Sequence, residues 1–87
     1  MSIFAGKNLM ITGGTGSFGN AVLNRFLQTD IKEIRIFSRD EKKQDDMRHE
    51  LQANHPQYAG KVKFYIGDVR NPQSIRDAMP GVNYIFH

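Results

Sequence analysis

Thr12-Gly13-Gly14-Thr15-Gly16-Ser17-Phe18-Gly19 decides the reading of this chain. It holds Gly13-x-x-Gly16-x-x-Gly19 and, overlapping it, Gly14-x-Gly16-x-x-Gly19. Such spacing alone is a weak signal, and its context gives it weight. Leu9-Met10-Ile11 precedes it, a short continuous apolar run that suits a strand buried on both faces. Phe18, Ala21, Val22, Leu23, Phe26 and Leu27 follow at three- and four-residue steps and predict a wide amphipathic helical stripe to about Gln28. The loop thus joins strand to helix inside a strand-helix-strand unit of about 30 residues. Gly13 or Gly14 lets the chain turn sharply off the strand, Gly16 lets backbone approach a pyrophosphate, and Gly19 lets the helix sit close to the sheet. Amides near Ser17 and Phe18 then meet phosphate at the positive end of the helix dipole. A triphosphatase loop has similar glycine spacing, but Asn20-Ala21 stands where Lys-Ser/Thr is required. The remaining alternative is a glycine-rich turn with no ligand.

Outward from the loop, strands and helices alternate. Glu33 to Phe37 predicts a second strand through Ile34, Ile36 and Phe37. Glu41 to Asn54 predicts a mostly solvated helix, with Met47 and Leu51 at i, i+4, closed by His55-Pro56. Val62 to Ile66, between Gly60 and Gly67, reads as a third strand. Asn71-Pro72 reads as an N-cap followed by proline at the first helical position, with Gly81 closing that helix. Val82 to Phe86 is the fourth strand. Alternation of this kind implies right-handed crossovers and a parallel sheet. The expected fold class is α/β, a partial Rossmann (doubly wound) fold with strand order 3-2-1-4. Residues 1–87 are read as one dinucleotide-binding segment. The apolar strand next to His87 further predicts that this is the N-terminal part of a longer protein whose substrate domain lies elsewhere.

Composition excludes several classes. The chain has 87 residues, 39% hydrophobic and 24% charged, ordinary for a globular domain. No apolar run approaches a membrane span, and Met1 to Lys7 lacks the features of a signal peptide. No cysteine is present, which removes disulfides, thiolate metal sites and thiol nucleophiles, and the expected location is the cytoplasm. Twelve Lys/Arg against nine Asp/Glu give +3. The signs interleave along Arg39 to Asp46, so no nucleic-acid partner is expected. His49 and His55 read as solvated, Tyr58, Tyr65 and Tyr84 as packing residues, and no metal site is expected.

The end of the second strand discriminates between dinucleotides. A carboxylate there grips a ribose 2′-OH, whereas a neutral residue followed by arginine admits a 2′-phosphate. Ser38 holds that place, with Arg39 beside it and Lys42 and Lys43 one turn on. This favours NADP. Asp40 opposes it if the strand end shifts by one residue, but reads better as the N-cap of the next helix. Arg39 and the lysines also admit a plainer reading, as a solvated surface cluster. Asp68, after the third strand, can accept from an adenine amino group with Val69 against the ring, or simply cap a turn.

Taken together, T-G-G-T-G-S-F-G, F-S-R-D-E-K-K-Q-D-D-M-R, F-Y-I-G-D-V-R and the closing F-H resemble the N-terminal part of the extended short-chain dehydrogenase/reductases. The resemblance is narrower still to the bacterial polysaccharide-biosynthesis group of UDP-N-acetylglucosamine 4,6-dehydratases, some of which also epimerise C5. It runs over essentially the whole chain. It implies NADP, with Thr15, Ser17 and Phe18 around the pyrophosphate, beside Gly13, Gly16 and Gly19 of the glycine motif, which count among the expected cofactor-site residues. Ser38, Arg39 and Lys43 would take the 2′-phosphate, Asp68 and Val69 the adenine, and His87 would begin the loop towards the nicotinamide. The implied reaction is internal redox on a nucleotide-sugar substrate: hydride leaves C4, water is eliminated across C5–C6, and hydride returns to C6. The family's catalytic groups lie beyond His87, so no residue here takes a catalytic role and residues 1–87 alone are expected to be inactive. A homo-oligomer is expected of the full-length protein.

Two other readings stay open. One is a UDP-sugar 4-epimerase, against which Ser38-Arg39 argues, since an NAD-using epimerase more often carries aspartate there. The other is a non-catalytic NADP-binding module. Sequence continuing into Y-x-x-x-K or M-x-x-x-K would favour an enzyme.

Overall fold

The computed structural model describes residues 3–13 and 15–86, so the readings of Gly14 and His87 fall outside the described residues. In chain order the elements are β1 (Asn8–Thr12), α1 (Ser17–Leu27), β2 (Glu33–Ser38), α2 (Glu41–Asn54), α3 (Pro56–Ala59), β3 (Val62–Ile66), α4 (Pro72–Ala78) and β4 (Tyr84–Phe86). Among the described residues the strands form one parallel sheet in the order β3-β2-β1-β4. The expected α/β fold and 3-2-1-4 order are those observed.

Strand register sorts the side chains into two layers. Leu9, Ile34 and Val62 lie in one row across β1, β2 and β3, and Ile11, Ile36 and Phe64 in the next row on the same face. Val22, Leu23 and Leu27 of α1 and Met47 and Leu51 of α2 pack against them. Successive strand residues point to opposite faces, so Met10 and Phe37 join Ala78 and Ile75 of α4 in a smaller second cluster. Arg35 lies on that second face too. Its Nε donates to Glu33 Oε2 at 2.6 Å and its Nη1 to Ala78 O at 2.7 Å, the last turn of α4. A cation at a helix C-terminus is favourably placed in the dipole field, so α4 is held by charge as well as by apolar area.

Local differences from expectation have simple causes. The inward stripe of α1 is Gly19, Val22, Leu23 and Leu27, with Phe26 half-buried; Phe18 is 56% exposed and Ala21 exposed. At 100° per residue Phe18 falls beside the stripe and Ala21 on the opposite side of the helix. Pro56 does stop α2, and it also occupies the first turn of a short α3. Gly81 does not close α4, which ends at Ala78 with Met79 as C-cap and Pro80 next. Instead Gly81, at φ +83°, turns the chain towards β4. Val82 and Asn83 precede the fourth strand: Val82 packs in the α4 cluster, and Asn83 Oδ1 accepts from Asn8 N at 2.8 Å.

Candidate functional site: the carboxyl edge of the sheet

β1 ends in the turn that its sequence demands. Gly13 has φ +64°, a left-handed conformation that side-chain-bearing residues rarely adopt, and its N–H donates to Phe37 O at 2.8 Å. Gly16 then serves as N-cap of α1 with extended backbone and no side-chain cap. The first intrahelical bond runs from Asn20 N to Gly16 O at 2.9 Å, so the amides of Ser17, Phe18 and Gly19 lie ahead of the helical ladder. No acidic side chain occupies this first turn. Asn20 Nδ2 also donates to Gly16 O at 3.1 Å and to Thr15 O at 3.4 Å, fixing the loop from the helix. Among the described residues, a Cβ added at Gly16 would meet nothing closer than Gly13 O at 3.8 Å. Packing against the described residues therefore does not require glycine at 16. Space for a ligand does give a reason for it.

Beside the loop lies a cleft of about 240 Å³ lined by Gly13, Phe37, Ser38, Arg39, Gly67, Asp68, Val69 and Arg70. A more open groove continues from it along Gly13, Thr15, Ser38, Arg39, Asp40 and Glu41. Gly13, Ser38, Arg39, Asp68 and Val69, all singled out from the sequence, are thus brought to one place, with Thr15 on the continuation. Lys43 is not. It lies with Thr15, Asn20, Asp46, Met47 and Glu50 in a separate depression. Lys42 is engaged by Asp46 at 3.3 Å. Asp40 is the N-cap of α2: its Oδ1 accepts from Lys43 N at 3.0 Å. That role removes it as the carboxylate at the strand end and leaves Ser38 there.

Two walls face the cleft. On the β2 side Ser38 is buried, at 7% exposure, and its Oγ accepts from Gln44 Nε2 at 2.9 Å. On the β3 side Asp68 receives Arg70: Nη2 to Oδ2 at 2.9 Å, Nε to Oδ1 at 3.2 Å, and the Arg70 backbone N–H to Oδ1 at 2.9 Å. Arg39 Nη1 stands 3.7 Å from Asp68 Oδ2. Hydrogen bonds from the Arg70 side chain, then from its backbone, hold the Asp68 carboxyl well below the usual carboxylate range, at about 2. Two guanidinium groups against one carboxylate leave the cleft with excess positive charge.

Three contributors escaped the sequence reading. Gln44 is 1% exposed, and its signal was its position three and seven residues before Met47 and Leu51, on their helical stripe. Gly67 was read only as a strand boundary. A Cβ there would lie 2.8 Å from Phe37 Cζ and 2.8 Å from Ser74 Cβ, so glycine is what lets β3 pass between them. Arg70 has no role that the sequence alone indicates.

The sheet order and the glycine turn off β1 define a Rossmann-type α/β fold, with a cleft at the carboxyl edge of its sheet. The chain belongs to the family described as Polysaccharide biosynthesis protein, which it matches over residues 9–87. Proteins named UDP-glucose 4-epimerase from Rickettsia typhi and Rickettsia prowazekii are 70% and 67% identical to it, over 98% of this chain and 24% of their own. The chain therefore spans about a quarter of the length of these curated relatives. Among solved structures, Pen from Bacillus thuringiensis superposes with TM-score 0.86 at 35% identity, covering 99% of this chain and 25% of that one. The L-sorbose reductase of Gluconobacter frateurii, solved with NADPH and L-sorbose, shares the fold with TM-score 0.70 at 19% identity, over 94% of this chain and 32% of its own. The broader resemblance, to the extended short-chain dehydrogenase/reductases, agrees with these matches. The relatives carry the name of an epimerase, not of a dehydratase. Among the described residues no helix is long and apolar enough to cross a membrane.

Proposed function

We propose that residues 1–87 are the NADP-holding segment of an enzyme that acts at C4 of a nucleotide-linked sugar. The observation that carries this reading is the neutral, buried Ser38 followed by Arg39 at the end of β2, opening onto the groove that starts at Gly13. A 2′-phosphate suits that pair, and a 2′-hydroxyl does not need the arginine. Thr15, Gly16 and the amides of Ser17, Phe18 and Gly19 would hold the pyrophosphate at the helix N-terminus. Asp68 and Val69 would meet the adenine. The dinucleotide, when bound, supplies reversible acceptance of a hydride. This segment supplies binding and orientation, and the proton-transfer groups are assigned to the rest of the full-length protein.

The relatives' name favours 4-epimerisation, and that is the first reading. A second, 4,6-dehydration of UDP-N-acetylglucosamine with or without inversion at C5, is favoured by the S-R-D-E-K-K-Q and G-D-V-R segments. Product analysis separates them: an epimer keeps every atom of its substrate, whereas dehydration removes one water. The cofactor is tested by titrating the full chain with NADP⁺ and with NAD⁺. NADP⁺ should bind at least about tenfold tighter, a gap of 1.4 kcal/mol. Arg39→Ala should remove that preference; equal affinities in the unaltered protein would sink the NADP reading.

A further inference from the structure

Gln44 is a polar side chain sealed inside the molecule, at 1% exposure. Its Nε2 donates to Tyr65 O at 2.8 Å, to Ser38 Oγ at 2.9 Å and, more distantly, to Ser38 O at 3.4 Å. Two of these three partners are backbone carbonyls, which can only accept. The amide must therefore present its nitrogen to them, and this fixes which way it lies. Ser38 Oγ shares that nitrogen and so is compelled to accept as well. A serine hydroxyl has one proton to donate, and here that proton cannot point at Gln44. Among the described residues no acceptor takes it, while Ser38 lines both the cleft and the open groove.

We propose that Gln44 is a positioning residue for dinucleotide selection: it locks Ser38 as a hydrogen-bond donor aimed at the 2′-phosphate. The inference rests on the NADP reading and deepens it. A phosphate oxygen only accepts, so a serine held as a donor matches it. The serine's rotation is spent in advance by the buried amide. Gln44 itself never reaches the ligand. It acts through Ser38 and, through Tyr65 O, ties the first turn of α2 to the ends of β2 and β3.

The test is equilibrium binding of NADP⁺ and of NAD⁺ to the full chain carrying Gln44→Met, Ser38→Ala, or both. Methionine keeps the length of glutamine and removes its donors. Hydrogen bonds to charged groups are strong enough that Gln44→Met should weaken NADP⁺ by about tenfold. NAD⁺, which lacks the phosphate, should move less than about twofold; a residue that merely held α2 in place would weaken both alike. In the Ser38→Ala background the Gln44→Met effect should vanish. Ser38→Ala leaves the Gln44 bonds to both carbonyls intact, so it reports even if Gln44→Met does not fold. Undiminished NADP⁺ preference in Ser38→Ala would overturn the proposal, as would equal loss of both dinucleotides in Gln44→Met. No preference in the unaltered protein would instead overturn the cofactor reading and this inference with it.

Discussion

The two strand ends that flank the cleft hold their polar groups by opposite means. At the end of β2, Ser38 is buried and its neutral partner Gln44 is sealed beneath it. Past the end of β3, Asp68 is partly exposed and is held by the outward-lying Arg70, with Arg39 at 3.7 Å. A buried neutral network gains from low dielectric and is costly to leave half-made, so it is stiff and indifferent to salt. A surface ion cluster is screened by salt and titrates with pH. The first wall is thus suited to setting a geometry, and the second to adding charge that responds to its surroundings.

The largest way to break this arrangement is to push the walls apart. Gly67 sits between them, its N–H donating to Ser38 O at 2.9 Å. An added Cβ would press on Phe37, which is 1% exposed, and on Ser74 Cβ, which is fixed to the backbone of α4. Neither neighbour is the loose end of an exposed side chain. Gly67→Ala should cost about 1–3 kcal/mol, the usual range for overpacking. Denaturant midpoints of the full chain measure it, and dinucleotide affinity should fall in parallel. An unchanged midpoint would show that the walls separate easily.

The same contrast marks what the sequence makes legible. The continuous apolar run Leu9-Met10-Ile11 and the cluster Ile34, Ile36 and Phe37 reveal strands because a short apolar run bounded by turn residues is a local property. The glycine turn and the Asp40 and Asn71 caps are local too. Gln44 and Arg35 are of another kind. Gln44 finds Tyr65 O 21 residues away, and Arg35 finds Ala78 O 43 residues away. No periodicity announces such partners: Arg35 fills the polar place between Ile34 and Ile36, and nothing local in the sequence shows that α4 covers that face. At the site, Ser38, Arg39, Asp68 and Val69 were legible because each ends or follows a strand at the carboxyl edge of the sheet. That Lys43 lines a neighbouring depression and not their cleft was not legible, since it depends on where the capped first turn of α2 directs its side chains.

A smaller effect sharpens the comparison from the β3 side. In Arg70→Ala, Asp68 loses its bidentate partner, and Arg39 becomes the cation available to it. Arg39 would then divide itself between Asp68 and a 2′-phosphate. NADP⁺ affinity should fall about two- to fivefold at low ionic strength, and the difference from the unaltered protein should shrink in about 1 M salt, where the Debye length is about 3 Å. The Gln44→Met effect should persist in that salt. If both effects faded together, the two walls would not differ in the way their burial indicates.

The smallest effect is the titration of Asp68 itself. Its carboxyl is pulled down to about 2, chiefly by the side-chain hydrogen bonds of Arg70. A depressed carboxylate favours the folded state at every pH above its unfolded value, about 3.9, and that contribution fades as pH falls through about 2. The window is therefore about pH 4 to 2. Carboxyl ¹³C shifts followed across it should show Asp68 titrating near the bottom. In Arg70→Ala the midpoint should rise towards the ordinary range, held back by the backbone N–H of residue 70, which alanine retains, and by the weaker attraction of Arg39. A midpoint near 4 in the unaltered protein would mean that Arg70 does not hold Asp68 in solution. Arg39 would then be the principal cation facing that carboxylate, and the two-wall division of labour would fail on the β3 side.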